Sequence, residues 1–113
     1  MAFKEISHCV QRFEMMEERA GIEIKGLMAT VDDEVSDGEF SVSLMAEIIS
    51  TGTGDLSNDI EVDINCYNAN GQICGSTTHY IYTDDFPGID TLNEVVYCKG
   101  FPTQIKLIPK VKK

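Results

Sequence analysis

The stretch Ile60-Glu61-Val62-Asp63-Ile64-Asn65-Cys66-Tyr67-Asn68-Ala69-Asn70-Gly71 decides the fold. Ile60, Val62, Ile64 and Cys66 alternate with Glu61, Asp63, Asn65 and Tyr67, a period of two that gives a strand one face for a core and one for water. Asn68 to Gly71 then reads as a turn, because Gly71 reaches positive φ without a steric penalty. Its order suits a type I turn followed by a bulge at Gly71, the common three-residue hairpin loop. Gln72 to Thr83 returns as the partner strand. In that register Asn68 faces Gln72 and Cys66 faces Cys74, both thiols pointing into the core.

Working outward, the same texture recurs from residue 21 to the end. Ile22 to Asp32 reads as a strand whose phase jumps at Gly26, the mark of a β-bulge. Phe40, Val42, Leu44, Ala46 and Ile48 alternate with Ser41, Ser43, Met45 and Glu47. Phe86-Pro87-Gly88 fits a type II turn. Thr91 to Cys98 and Thr103 to Lys110 supply two more strands. The last of these, with Pro109 and flanking lysines, has the character of a protected sheet edge. Short strands with frequent turns and no helical pattern between them exclude a parallel βαβ sheet and favour two packed antiparallel sheets.

Residues 1–20 differ. Ile6, Cys9, Val10, Phe13 and Met16 recur at helical spacing and Gly21 is a stop signal, so a short amphipathic helix competes with an extra strand. The expected fold class is therefore an all-β, immunoglobulin-like antiparallel β-sandwich of six to seven strands (residues 21–113), preceded by that helix or strand.

Ile64-Asn65-Cys66-Tyr67-Asn68, with the turn to Gly71, resembles the signature of the FxLYD-type domain. Ile64 stands at the Phe position, Cys66 at the Leu, Tyr67 at the Tyr and Asn68 at the Asp, and Phe86-Pro87-Gly88 resembles that family's later Pro-Gly turn. The resemblance implies an immunoglobulin-like accessory module without catalysis. It carries over no functional residues, since the motif's members are structural.

Composition narrows the function. The 113 residues hold nineteen acids against nine bases, a formal charge of −10. Residues 26–98 contain no Lys or Arg, whereas Lys99, Lys106, Lys110, Lys112 and Lys113 crowd the end. Such a body repels phosphate backbones, so nucleic acid is not an expected partner. The basic end can instead dock onto acidic surface, in the same chain or another copy. No apolar run approaches a membrane span and no signal peptide is visible, so a cytoplasmic location is expected.

Four cysteines (Cys9, Cys66, Cys74, Cys98) show no zinc-ligand spacing and read as reduced thiols. His79 falls on the strand face opposite Cys74, and no nucleophile or phosphate-binding motif occurs, so no catalysis is expected. The acidic loops are the candidate cation site: Asp32, Asp33 and Asp37, with Asp55 and Asp59, and with Asp84 and Asp85, would offer calcium several oxygen ligands. Ile73, Ile81, Val95 and Tyr97 fall on nominal outer faces, where the first twenty residues are the expected cover. The leading functional expectation is a non-enzymatic module that binds a protein partner or itself through a sheet face or edge, with calcium or another cation as the alternative.

Overall fold

The computed structural model describes residues 3–32, 39–51 and 58–112. The chain forms an all-β sandwich with one short helix. One sheet has the order β1-β3-β4-β7, with β1 at Phe3–Glu5, β3 at Ile22–Asp32, β4 at Glu39–Ser50 and β7 at Ile89–Lys99. The other has the order β2-β8-β5-β6, with β2 at Val10–Arg12, β5 at Asp59–Tyr67, β6 at Ile73–Ile81 and β8 at Gln104–Lys112. The six long strands are those read from the alternation. Between the sheets lies one core, in which Ile24, Leu44, Ile48, Ile64, Leu92 and Leu107 are fully buried.

The N-terminal segment resolves into both alternatives. Phe3–Glu5 adds to β3 opposite Thr30–Asp32, and Val10–Arg12 adds to β8 in parallel opposite Ile105–Leu107. Ile6, 1% exposed, and the 3-10 turn Ser7–Cys9 carry the chain from one sheet to the other. Helix α1 spans only Glu14–Ala20 and ends at Gly21 in the left-handed region (φ 78°), as expected for a C-cap. Residues 3–12 escape the helix because the open edges of β3 and β8 offer a ladder for their backbone groups. A short helix starting at Phe13, which makes no side-chain cap bond, competes poorly with that ladder.

Two register features follow the sequence and one departs from it. Gly26 (φ 63°) sits where the β3–β4 register shifts between Lys25 and Met28, the expected bulge. The hairpin loop is also as read: Gly71 N donates to Asn68 O at 3.0 Å and Asn68 N to Gln72 O at 2.9 Å. Asn68 Oδ1 accepts from the Asn70 and Gln72 amides, which fixes the turn from inside.

Beyond that loop, however, Tyr67 pairs with Ile73 but Cys66 pairs with Gly75, so Cys74 is an extra residue in β6. Cys66 does not face Cys74. From Gly75 onward the phase is inverted, and the inward positions become Gly75, Thr77, His79 and Ile81. Ile81 is accordingly buried, 3% exposed opposite Ile60, and not on an outer face. The cause is steric. A Cβ on Gly75 would lie 2.6 Å from Tyr97 O and 2.9 Å from Cys98 Sγ, so only glycine lets β6 approach β7 this closely.

The edge assignment also changes. β8 is an interior strand, paired along its length with β5 and over three residues with β2. The long edge strands are β6 and β7, which lie against each other along one side of the sandwich. Helix α1 packs on β3 and β8, so Ile73, Val95 and Tyr97 are not covered by the first twenty residues.

Candidate functional site

The outer faces of the two sheets are chemically opposite. On the β2-β8-β5-β6 sheet, the acids of β5 meet the lysines of β8. Lys110 Nζ lies 2.7 Å from Asp63 Oδ2, and Lys112 Nζ 3.3 Å from Glu61 Oε1. Thr78 Oγ1 donates to Asp63 Oδ1 at 3.0 Å, and the Lys106 ammonium stands 4.8 Å from the Tyr67 ring centroid. The bond to Asp63 holds the Lys110 ammonium above the usual lysine range. The basic C-terminal strand thus docks on the acidic surface of its own chain. This face is charge-laced and solvated.

The outer face of β3-β4-β7 has the reverse character. Val42, Leu44, Ala46 and Ile48 point inward, so Ser41, Ser43, Met45 and Glu47 point out. The register then lines up Met28 with Met45 and Asn93, Thr30 with Ser43 and Val95, and Asp32 with Ser41 and Tyr97. From Met28 to Tyr97 the middle of this surface carries no formal charge. Among the described residues, charged groups lie at its margins: Lys25 and Glu47 at one end, Asp32, Glu39 and Lys99 at the other, and Glu5 of β1 beside Thr30. Met28 (49% exposed), Met45 (47%), Val95 (45%) and Tyr97 (66%) all stand open to solvent. An uncharged, half-apolar plane is unusual on a chain with charge −10, which makes this surface the candidate site.

The seam where β6 meets β7 holds the remaining polar chemistry. His79, only 13% exposed in its side chain, places Nδ1 2.8 Å from Glu94 Oε2 and Nε2 3.0 Å from Asp90 Oδ2. Asp90 and Glu94 are inward positions of β7, flanking Leu92 on the same face, so one imidazole joins the two edge strands. The sequence reading missed this cluster because it placed His79 on the outer face. The signal available was Gly75, since a glycine inside a strand marks a bulge or close backbone approach.

Three cysteines sit near the same seam, and all four in the chain are free thiols. Burial pushes the Cys74 thiol up from the usual 9.0 to about 11, with Cys98 adding to the effect. Cys98 is raised too, first by its hydrogen bond with Cys66 and then by burial. Raised thiols stay neutral and make weak nucleophiles at pH 7. The folded state therefore holds these thiols protonated, whereas the unfolded chain ionises them near pH 9. Their contribution to stability is complete below that pH and declines as pH rises toward 11. A Cys74→Ala variant is expected to lose less stability than the wild type between pH 8 and pH 11 in urea denaturation; equal losses would contradict this placement.

The acidic residues proposed for a cation do not converge as a set. Asp32 pairs with Ser41, beside Tyr97, whereas the Thr83–Asp85 turn precedes Ile89, at the other end of β7. The eight residue steps of strand from Ile89 to Tyr97 separate the two ends by roughly 26 Å. One ion therefore cannot take ligands from both Asp32 and Asp84. Asp33, Asp37 and Asp55 lie outside the described residues, as does the side chain of Asp85. Asp59 Oδ1 accepts from the Thr83 amide at 2.9 Å, and Asp84 is exposed. Among the described residues no group of three or more His, Cys, Asp or Glu is arranged to hold a metal ion, and no helix is long and apolar enough to cross a membrane.

No protein-family model, curated protein or solved structure matches the chain.

Proposed function

We propose that this protein is a non-enzymatic interaction module whose contact surface is the outer face of β3-β4-β7, and that a second copy of the chain is its partner there. The observation that carries the reading is the difference between the two outer faces. One is neutralised internally by lysine–carboxylate pairs; the other presents Met28, Met45, Val95 and Tyr97 around Thr30, Ser41 and Ser43, with charge only at the margin, at Glu5 beside Thr30 and Asp32 beside Ser41.

A second copy is favoured by electrostatics and symmetry. Two molecules of charge −10 repel over most approaches, and the uncharged plane is where they meet at least cost. A flat face packed about a two-fold axis requires the same patch on both partners, so one uncharged surface suffices. Three strands and about nine residues outline a patch of roughly 400 Å², below the about 800 Å² per partner of a standard interface, so the association is weak and reversible. An accessory, non-catalytic module is also what the resemblance of Ile64–Gly71 to the FxLYD-type domain implies.

Sedimentation velocity from micromolar to millimolar protein tests this directly. The wild type is expected to pass from monomer to dimer, and Val95→Glu to remain monomeric, since the two-fold places two new charges in one interface. Asn65→Glu, on the opposite sheet, is expected to dimerise as the wild type does. A wild type that stays monomeric throughout, or dimerisation unaffected by Val95→Glu, would remove the reading.

A further inference from the structure

We infer that the hollow at the end of β6, beside the turn into β7, is a binding site for an organic cation: a guanidinium or alkylammonium head with a short apolar stem. The hollow has a volume of about 210 Å³ and is walled by Tyr80, Tyr82 and Phe86, with Asp90 and His79 at one side. Tyr80, in β6, and Tyr82, just past its end, stack 6.2 Å apart and 11° from parallel, each about half exposed. Phe86 is buried and supplies a fixed apolar wall. Asp90, 39% exposed in its side chain, supplies a carboxylate that still reaches solvent.

Ring faces carry negative potential that attracts a cation within about 6 Å of the ring centroid, and a carboxylate beside them adds to that attraction. The fold already uses this chemistry on the same ring. The Lys112 ammonium stands 5.8 Å from the centroid of Tyr80, and it is shared with Glu61. No Lys or Arg occurs between residues 26 and 98, so neither lines the hollow, and His79 is held by Asp90 and Glu94. Asp84 on the adjoining turn is exposed and adds to the negative field. Glu94 is occupied on the far side of the imidazole, which fixes the His79 ring and through it Asp90. An anion would meet these carboxylates at short range, and a neutral ligand would gain only the apolar contact. The cation alone gains from rings and carboxylate together.

The test is a titration of the purified protein followed by the NMR signals of the Tyr82 and His79 rings. The probes are n-propylguanidinium, n-butylammonium and, as the neutral isostere, n-propylurea. Saturable binding by either cation, with the urea about tenfold weaker or more, is expected. Tyr82→Leu keeps an apolar side chain but removes a ring face, and Asp90→Asn keeps an oxygen that His79 can bond. Both side chains reach solvent, so both variants are expected to fold, and each should weaken cation binding about fivefold or more. The inference is overturned if the urea binds as tightly as the cations, if neither cation saturates, or if Tyr82→Leu leaves the affinity unchanged. None of these outcomes depends on whether the chain dimerises.

Discussion

Replacing Glu17 with alanine is expected to cost about 3 kcal/mol of stability, at the lower end of the range for breaking a buried ion pair. Glu17 is the one buried charged residue among those described, with its side chain 3% exposed. Its carboxylate takes Arg12 in a fork, Nη2 to Oε1 at 2.6 Å and Nε to Oε2 at 3.0 Å. Oε1 also accepts from the Ile24 amide at 3.1 Å. Three elements therefore meet at one side chain: β2 through Arg12, α1 through Glu17 itself, and β3 through Ile24. Truncation strands the guanidinium and leaves a β3 amide without its acceptor, costs that add to the lost contact. Arg12 is 31% exposed in its side chain and partly rehydrates, which keeps the figure at the low end. Glu17→Gln retains the shape and one acceptor, so it should cost less than half as much. Thermal unfolding of both variants checks this; a loss below about 1 kcal/mol for Glu17→Ala would mean that water already replaces the pair.

The second large effect belongs to Gly75. Gly75→Ala is expected to cost about 2–3 kcal/mol, near the top of the usual range for overpacking. The reason is which atoms stand in the way. The new methyl carbon would lie 2.6 Å from the Tyr97 carbonyl oxygen, a backbone atom of an edge strand, and 2.9 Å from Cys98 Sγ, a fully buried atom. Neither yields by rotating a flexible tail. Relief requires β6 to move from β7, which also lengthens the His79 contacts to Asp90 and Glu94. Urea denaturation of Gly75→Ala reads the cost, and the paired variant Ser76→Ala, one position along on the exposed face, should be nearly neutral. Equal stability of Gly75→Ala and the wild type would place the β6–β7 seam further apart than described.

What the sequence made legible was whatever depends on a period of two within one strand. Ile60 to Cys66 reads correctly because each residue reports its own face, and Asn68 to Gly71 because the turn closes on itself through local bonds. Gly26 announces its bulge because the apolar phase visibly jumps on either side. At Cys74 and Gly75 no jump is visible. The residues around them (Ile73, Ser76, Thr77, Thr78) are too mixed to declare a face, so the inversion depends on contact with β7, some twenty residues further on. The position of His79 beside Asp90 and Glu94, and the burial of Ile81, were hidden for that reason. Residues 3–12 were ambiguous for a related one: their conformation is set by the vacant edges of β3 and β8, which no local pattern records.

The candidate site was legible in part. Val95 and Tyr97 declare themselves as outward apolar residues, but the uncharged plane exists only once Thr30, Ser43 and Val95 are brought into one row beside that of Met28, Met45 and Asn93. The lysines of residues 106–112 were recognisable as a docking element, whereas their pairing with Asp63 and Glu61 required the β5–β8 register.

The measurement that bears most directly on the proposed surface is a dilution series of backbone amide NMR spectra from millimolar to micromolar protein. Signals from the middle of β3, β4 and β7, around Met28, Ser43 and Val95, are expected to move with concentration, while those of Asp63, Asn65 and Lys110 stay fixed. Concentration-dependent shifts centred on β5 and β8, or none anywhere, would contradict the assignment of that face as the contact surface.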